Sequence, residues 1–273
     1  MPSLVCPDAD ASRAVRRVNG AASSDGVRVH SATINTATCI ELCVRTARRT
    51  AGMDFDLVVG DGGSTDGSLE TLREFESRGW LALEVAPEGR RHSQWLNKWL
   101  EECPARYAVF VDSDMRFRRG GWLRDLVDAS RANNAALVTS RVQHAVGPTV
   151  GPNGTKMTWV DRPTPWLMLV DVAQVRGVVD VGFGFRTRED PDDPNVKVML
   201  DTGAGFLESL TEAGLRFHEM GEDWSRCYQH FGGMTWTREQ PHVQLLHRVK
   251  LLSRDASAWT HLQIERARAG SQR

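Results

Sequence analysis

The run from Tyr107 to Phe117, YAVFVDSDMRF, constrains the chain more than any other stretch, because five consecutive apolar or aromatic residues stop abruptly at two aspartates separated by one serine. Side chains two apart in an extended segment point the same way, so Asp112 and Asp114 present their carboxylates together just past a strand's end. That is a place for a hard cation. Mg²⁺ or Mn²⁺ takes carboxylate oxygen and completes its shell with phosphate and water, so the pair implies a nucleotide diphosphate bridged through metal. Asp-Ser-Asp can also simply turn the chain, since these side chains bond locally at strand ends. The setting decides between the two.

Upstream, Val27 to Ile34 alternates apolar and polar residues and predicts a first strand, and Ala37 to Thr50 carries Ile40, Cys43, Val44 and Ala47 at helical spacing. Phe55 to Gly60, FDLVVG, is nearly all apolar and predicts a strand buried on both faces, as in a parallel sheet. It runs into GDGGSTDG, where glycines allow a sharp turn and Thr65 or Asp66 can cap the following helix, whose buried side is Leu69, Leu72 and Phe75. Leu81 to Val85 reads as a third strand and Ser93 to Glu102 as a third helix with Trp95, Leu96 and Trp99. Strand and helix thus alternate three times before the carboxylate pair. This predicts an α/β fold: an open, mostly parallel twisted sheet flanked by helices, which binds ligands at the carboxyl ends of its strands. Both Asp61 and the Asp112/Asp114 pair fall at such ends.

Beyond Phe117 the pattern predicts a helix over Trp122 to Ala132 and a strand over Ala135 to Val142. GPTVGPNGTK then reads as an irregular loop, RPTPWLMLVDVAQV as prolines leading into a short apolar helix, and REDPDDP as an exposed acidic turn. Gly203 to Gly214 is expected to be helical and Leu215 to Glu219 extended. Val243 to Arg268 is expected to form an amphipathic helix with Leu245, Leu246, Val249 and Leu252, suited to packing or to a homodimer contact.

The formal net charge is −1 over 273 residues with both signs interspersed, which argues against nucleic acid as a partner. Five cysteines, Cys6, Cys39, Cys43, Cys103 and Cys227, form no paired motif, and with no secretory pattern at the N-terminus they lead us to expect a cytoplasmic protein. Cys39 and Cys43 lie one helical turn apart and read as small buried residues. No apolar run approaches the ~20 residues that span a bilayer, so any membrane contact is expected to be peripheral.

From Val27 to Trp236 the chain resembles the inverting glycosyltransferases of family 2, with the GT-A type fold. The resemblance rests on the order of four parts: a first strand ending in TIN, VVGDGGSTDGS after the second strand, VFVDSDMRF after the fourth, and a late YQHFGGMTW. It implies transfer of a sugar from a nucleotide-diphosphate donor, UDP-type favoured, to the hydroxyl of a small-molecule, lipid-linked or saccharide acceptor. It also implies that Asp61 reads the nucleobase with help near Thr33 and Asn35. Asp112, with Ser113, would serve the ribose or a metal-bound water, and Asp114 would ligate Mn²⁺ or Mg²⁺ directly. His230 resembles the late histidine that can join that metal. Arg90, Arg91 and His92 precede the third helix, where cations could hold a diphosphate or form a solvated face; Arg91 is retained as a candidate. Trp166, with Leu167 and Met168, is a candidate for the acceptor pocket or for the core.

Inverting transfer needs a general base, and the acidic pair usual in the family before its late helix is missing; the chain has VMLDTGAGFLESL instead. Asp201 is the first choice, with Glu222 and Asp223 second and Glu189 and Asp190 behind them. The expected organisation is an N-terminal arm (1–26), a nucleotide-sugar-binding half (27–142), an acceptor and catalytic half of the same domain (143–242), and a C-terminal helix and tail (243–273). The alternatives are a nucleotide-sugar-binding protein without transferase activity and a sugar-1-phosphate nucleotidyltransferase. The latter should carry a basic glycine-rich loop after its first strand, and TINTATCIE is not one. A nicotinamide-binding reading fails because GDGGST lacks the third glycine of the dinucleotide motif.

Overall fold

The structure, a computed structural model, describes residues 26–151, 154–179, 182–234 and 245–271, with side chains in the last stretch described from Lys250. The expected arm up to Asp25, Cys6, Asn153, the end of the late motif after Met234, and the Leu245, Leu246 and Val249 side chains lie outside the described residues.

In chain order the elements are β1 (Val27–Thr33), α1 (Ala37–Thr50), β2 (Asp56–Asp61), α2 (Ser68–Ser77), β3 (Ala82–Val85), α3 (His92–Glu102), β4 (Tyr107–Val111), β5 (Met115–Phe117) and α4 (Trp122–Asn133). There follow β6 (Leu137–Thr139), β7 (Val142–Gln143), β8 (Val146–Val150), β9 (Lys156–Trp159), β10 (Arg162–Pro163), β11 (Leu167–Asp171), α5 (Val172–Val175), β12 (Arg186–Glu189) and β13 (Val196–Leu200). The last are α6 (Ala204–Glu212), β14 (Phe217–Glu219), α7 (Glu222–Ser225), β15 (Tyr228–His230) and α8 (Leu245–Gly270).

Among the described residues seven strands form the main sheet in the order β14-β6-β11-β4-β1-β2-β3. All run parallel except β11, which pairs antiparallel with both β4 and β6. Alternate residues of one strand enter opposite cores. Val109 and Val111 of β4 pack with α1, α2 and α4, whereas Ala108 and Phe110 pack with the side carrying α3 and α6. A strand covered on both faces has no polar side, which is why β2 and β4 read as unbroken apolar runs. The packing is close. A Cβ at Gly60 would stand 2.7 Å from Trp99 and 2.9 Å from Trp95, so only glycine lets α3 lie on β2.

From β1 the chain builds β2 and β3 to one side and then crosses to the other side of β1 for β4. The loops after β1 and β4 therefore diverge, which opens a crevice at the carboxyl ends of the strands. The glycine-rich loop after β2 is pinned to its edge: Asp66 accepts from the Ala37 N–H at 3.0 Å and from the Ser68 N–H at 3.1 Å, serving the starts of α1 and α2 together. The cap residue of α2 itself is Gly67, in place of the expected Thr65 or Asp66.

The single strand expected over Ala135 to Val142 is broken at Ser140 and Arg141, which bond to the Thr164 hydroxyl, so that β6 lies in the main sheet and β7 pairs with β10 in a separate one. Two further expectations fail. LMLVD is the strand β11, not a helix, because Leu167 and Leu169 face one core while Met168 and Val170 face the other, a period of two that a five-residue apolar run leaves ambiguous. GPTVGPNGTK is not irregular either: β8 and β9 pair antiparallel and join β13 and β12 in a small four-stranded sheet. Pro148 fits because β8 is an edge strand with a bulge between Val146 and Thr149.

Helix α8 packs against α1 through buried Ala258 and Leu262, which meet Cys39 and Leu42. Leu252, expected on a face suited to packing or to a homodimer contact, is 70% exposed and takes no part in packing on α1. The buried stripe is instead Ala258, Leu262 and Glu265, spaced four and three residues apart. No described helix is long and apolar enough to cross a membrane.

Candidate active site

Asp112 and Asp114 stand at the end of β4, and strand β15 brings His230 against them. β15 pairs with β5 so that His230 lies opposite Met115, one residue past Asp114. His230 Nε2 is 3.0 Å from Asp114 Oδ1 and 3.5 Å from Asp112 Oδ2. One ligand atom from each of the three residues lies within 4.8 Å of the others. The His230 Nε2 is buried between the two carboxylates. Two carboxylates and an imidazole nitrogen directed at one point form a donor set suited to Mn²⁺ or Mg²⁺, the imidazole favouring the softer Mn²⁺.

The electrostatics match this crowding. Burial works to keep His230 neutral, but the adjacent Asp112 and Asp114 carboxylates outweigh it and push its pKa up to about 9. Burial likewise opposes charge on Asp112, and there His230 and His92 win, holding the carboxyl well below the usual range. His92 opens α3 and places Nε2 3.2 Å from Asp112 Oδ1, so Asp112 has a histidine on each oxygen. The Trp166 ring stacks on His230 with centroids 4.8 Å apart, and its carbonyl accepts the Asp112 N–H at 3.0 Å. Leu167 and Met168, grouped with Trp166 in the sequence, belong to the core, both at 0% exposure.

The floor between β1 and β4 is a chain of hydroxyls. Thr33 and Thr36 share a hydrogen bond of 2.6 Å, and Thr36 donates to Ser113 at 3.3 Å. Asn35, at φ +52°, accepts from the Thr65 N–H at 2.8 Å and so clamps the glycine-rich loop. Asp61 is wholly buried. Its Oδ1 accepts from the N–H groups of Gly63 and Ser64 at 2.9 and 2.8 Å, whereas Oδ2 has no partner among the described residues. Asp61 is therefore a loop-shaping residue with one acceptor to spare.

Other candidates stand elsewhere. Arg91 is exposed and caps α3 through its backbone: its N–H donates to Gln94 Oε1 at 2.9 Å and its carbonyl accepts the Gln94 N–H at 3.0 Å. Arg90 lies over Trp95, 4.5 Å from the ring centroid. Asp201 follows β13 and precedes α6; its Oδ2 pairs with Arg162 at 2.5 Å and its Oδ1 accepts the Thr202 N–H at 2.7 Å. Glu222 and Asp223, each 93% exposed in the side chain, sit on the short α7, where Glu222 is 3.9 Å from Arg141 and Asp223 is 3.4 Å from Arg226. Glu189 is exposed at the end of β12, and Asp190 accepts from the N–H groups of Asp192 and Asp193 to shape the acidic turn. Buried Cys43 donates its thiol to the Asp112 carbonyl at 3.6 Å. The pairing of His92 with Asp112 goes beyond the diphosphate-holding or solvated role that its sequence position suggests. The available signal was its place at a helix start directly after two arginines.

Residues 29–210 match the model of the family described as Glycosyl transferase family 2. Among curated proteins none matches. Solved structures with a similar fold include a mannosyltransferase from Pyrobaculum calidifontis in complex with GDP-Man and Mn²⁺: 16% identity over 92% of this chain and 78% of that one, with a TM-score of 0.48. Glucosyl-3-phosphoglycerate synthase from Mycobacterium tuberculosis, in complex with Mn²⁺, UDP and glucosyl-3-phosphoglycerate, shares 12% identity over 85% of this chain and 80% of that one, with a TM-score of 0.47. TarS from S. aureus shares 15% identity over 69% of this chain and 39% of its own, with a TM-score of 0.38. All three likenesses have TM-scores below 0.5.

Proposed function

The chain belongs to glycosyl transferase family 2, and from that premise we propose that it moves a sugar from a nucleoside-diphosphate donor, UDP-type favoured, to an acceptor hydroxyl, with inversion and with Mn²⁺ or Mg²⁺ held by Asp112, Asp114 and His230. The observation that supports the reading is the convergence of three ligand atoms, two carboxylate oxygens and an imidazole nitrogen, within 4.8 Å of one another at the carboxyl end of a parallel strand. Asp112, Asp114 and His230 would hold the divalent cation, which would supply charge neutralisation for the departing nucleoside diphosphate.

The chain's own groups supply the rest. Asp114 is buried, with Oδ2 accepting the Met234 N–H at 3.4 Å and Oδ1 facing His230 at 3.0 Å. Asp112, braced by His92, is kept ionised. The hydroxyls of Thr36 and Ser113 and the spare oxygen of Asp61 line the route for the nucleoside. Trp166, stacked on His230, gives the site a flat apolar wall suited to a sugar face. Asp201 is the proposed general base: its ion pair with Arg162 orients it at the start of α6, whereas Glu222 and Asp223 lie open to solvent.

The test is to incubate purified protein with a panel of UDP- and GDP-sugars and Mn²⁺, following nucleoside diphosphate release and the anomeric configuration of the product. Metal-dependent release with inversion is expected. Equal release by the Asp114→Asn variant would remove the site from the reaction, and retention of configuration would remove Asp201 as base.

A further inference from the structure

We propose that Arg254, on the C-terminal helix, is a positioning residue for the metal site: it holds the turn at residues 231–234 that fixes Asp114 and carries His230 at its start. The inference rests on the reading of Asp112, Asp114 and His230 as cation ligands given above.

The turn grips Asp114 twice. The Phe231 N–H donates to the Asp114 carbonyl at 3.0 Å and the Met234 N–H to its carboxylate Oδ2 at 3.4 Å. With Oδ2 held, Oδ1 is the oxygen that faces His230, at 3.0 Å. Yet the turn has little stiffness of its own, because Gly232 and Gly233 both sit at positive φ, +69° and +70°, and glycine leaves that conformation as readily as it enters it.

The stiffness comes from α8. The Arg254 guanidinium donates from Nη1 to the Gly232 carbonyl. On either side of that bond, Phe231 and Met234 pack into a small buried cluster with Cys39 and Leu42 of α1 and Ala258 and Leu262 of α8. Helix α8 is fastened to α1 in turn: Arg266 pairs with buried Glu41, and Arg49 grips buried Glu265 through two hydrogen bonds of 2.9 and 3.0 Å. A guanidinium is always charged and presents a planar fork, so it holds a carbonyl with little loss of freedom. Arg254 thus acts on the metal ligands through the Gly232 carbonyl.

Mn²⁺ titrated into the full chain, read by the electron paramagnetic resonance of free Mn²⁺, tests this, with thermal unfolding of the metal-free protein measured alongside. Arg254→Met keeps most of the aliphatic stem and should weaken Mn²⁺ binding by about 5–10-fold, at or below the low end of the roughly 10–100-fold cost of losing a group bonded directly to a metal ligand, because Arg254 acts one bond further out. Arg254→Lys, whose ammonium can still donate to the carbonyl, should recover part of that loss. Arg49→Met cuts an α1–α8 pair whose α8 partner lies about 16 Å along the helix from Arg254; it should lower Tm while leaving Mn²⁺ affinity within about twofold of the parent. Equal affinity in the parent and Arg254→Met overturns the inference and leaves the metal reading standing. Equal loss in Arg254→Met and Arg49→Met also overturns it, because the effect then belongs to helix docking at large. If Arg254→Met does not fold, Arg254→Lys carries the test, with parent-like affinity counting against the inference only if the lysine variant also melts below the parent, which shows the native contact was lost. No Mn²⁺ binding by the parent overturns the metal reading itself, a result distinct from all of these.

Discussion

Strand β4 and strand β12 are both short and both paired, yet all five residues of β4 are buried while all four of β12, Arg186 to Glu189, are exposed. The contrast runs through the two regions they belong to. The main sheet is sealed on both faces by helices, so its strands must be apolar throughout and its geometry is stiff. The small sheet of β8, β9, β13 and β12 buries mainly Val198 and Leu200 against Ala204, and is held chiefly by strand pairing. Rigid packing belongs to the half that carries Asp61, Asp112 and Asp114. The looser sheet adjoins Asp201, through β13, where tolerance of sequence change costs the fold little.

The largest test of this division is chemical. Asp114→Asn removes a carboxylate from the rigid half and should lower metal-dependent kcat/KM by roughly 10²–10⁴-fold, equivalent to several kcal/mol of charge stabilisation, while Tm in EDTA stays near the parent's. On the looser side, Asp201→Asn should lower kcat by about 10²–10⁴-fold with little change in KM for the donor, the range for a lost general base, whereas Glu222→Gln and Asp223→Asn should stay within about twofold. If Glu222→Gln proved the crippled variant instead, the exposed α7 would have to fold over the site during turnover.

Stability gives a smaller but sharper comparison. Gly60→Ala forces a methyl against Trp95 and Trp99 and should cost about 1–3 kcal/mol in a denaturant titration. Gly147→Ala, in the small sheet, meets nothing within 4 Å and should shift stability by no more than about 0.5 kcal/mol. Similar losses at both positions would mean that the two sheets are equally tight.

The smallest effect is a pH dependence in the sealed half. His30, at the centre of β1, is stacked between Trp99 and Phe110 with neither ring nitrogen partnered, and burial, aided by Arg28 and Lys98, keeps its folded pKa well below the ordinary value. The unfolded chain therefore binds the extra proton as pH falls through about 6.5, so stability declines toward acid by at most about 1.4 kcal/mol per pH unit from this group. His30→Phe should flatten the decline between about pH 6.5 and 5 relative to the parent, as followed by Tm against pH. An unchanged profile would show that His30 is not the group responsible.

How much of the site could be read from the chain follows from what each residue depends on. Asp112 and Asp114 were legible because their spacing and the apolar run before them are local facts. His230 could be joined to them only through a family resemblance, since 116 residues separate it from Asp114 and nothing in Tyr228 to Phe231 says which strand it will pair with. LMLVD was misread as helix because its period of two has meaning only once sheets and layers exist on both sides of it. The β8–β9 hairpin was missed because an exposed edge strand holding a proline carries no apolar pattern.

The sequence by itself determined the alternation of strands and helices, the burial of β2 and β4 on both faces and the carboxylates at a strand's end, because those depend on periodicities that adjacent residues enforce. Only the tertiary structure decided that β11 runs backward through the sheet, that His92 and His230 flank Asp112, and that α8 braces the turn around Asp114. Each of these needs side chains from distant segments to meet at hydrogen-bonding range, and that distance is set by packing rather than by any local preference of the chain.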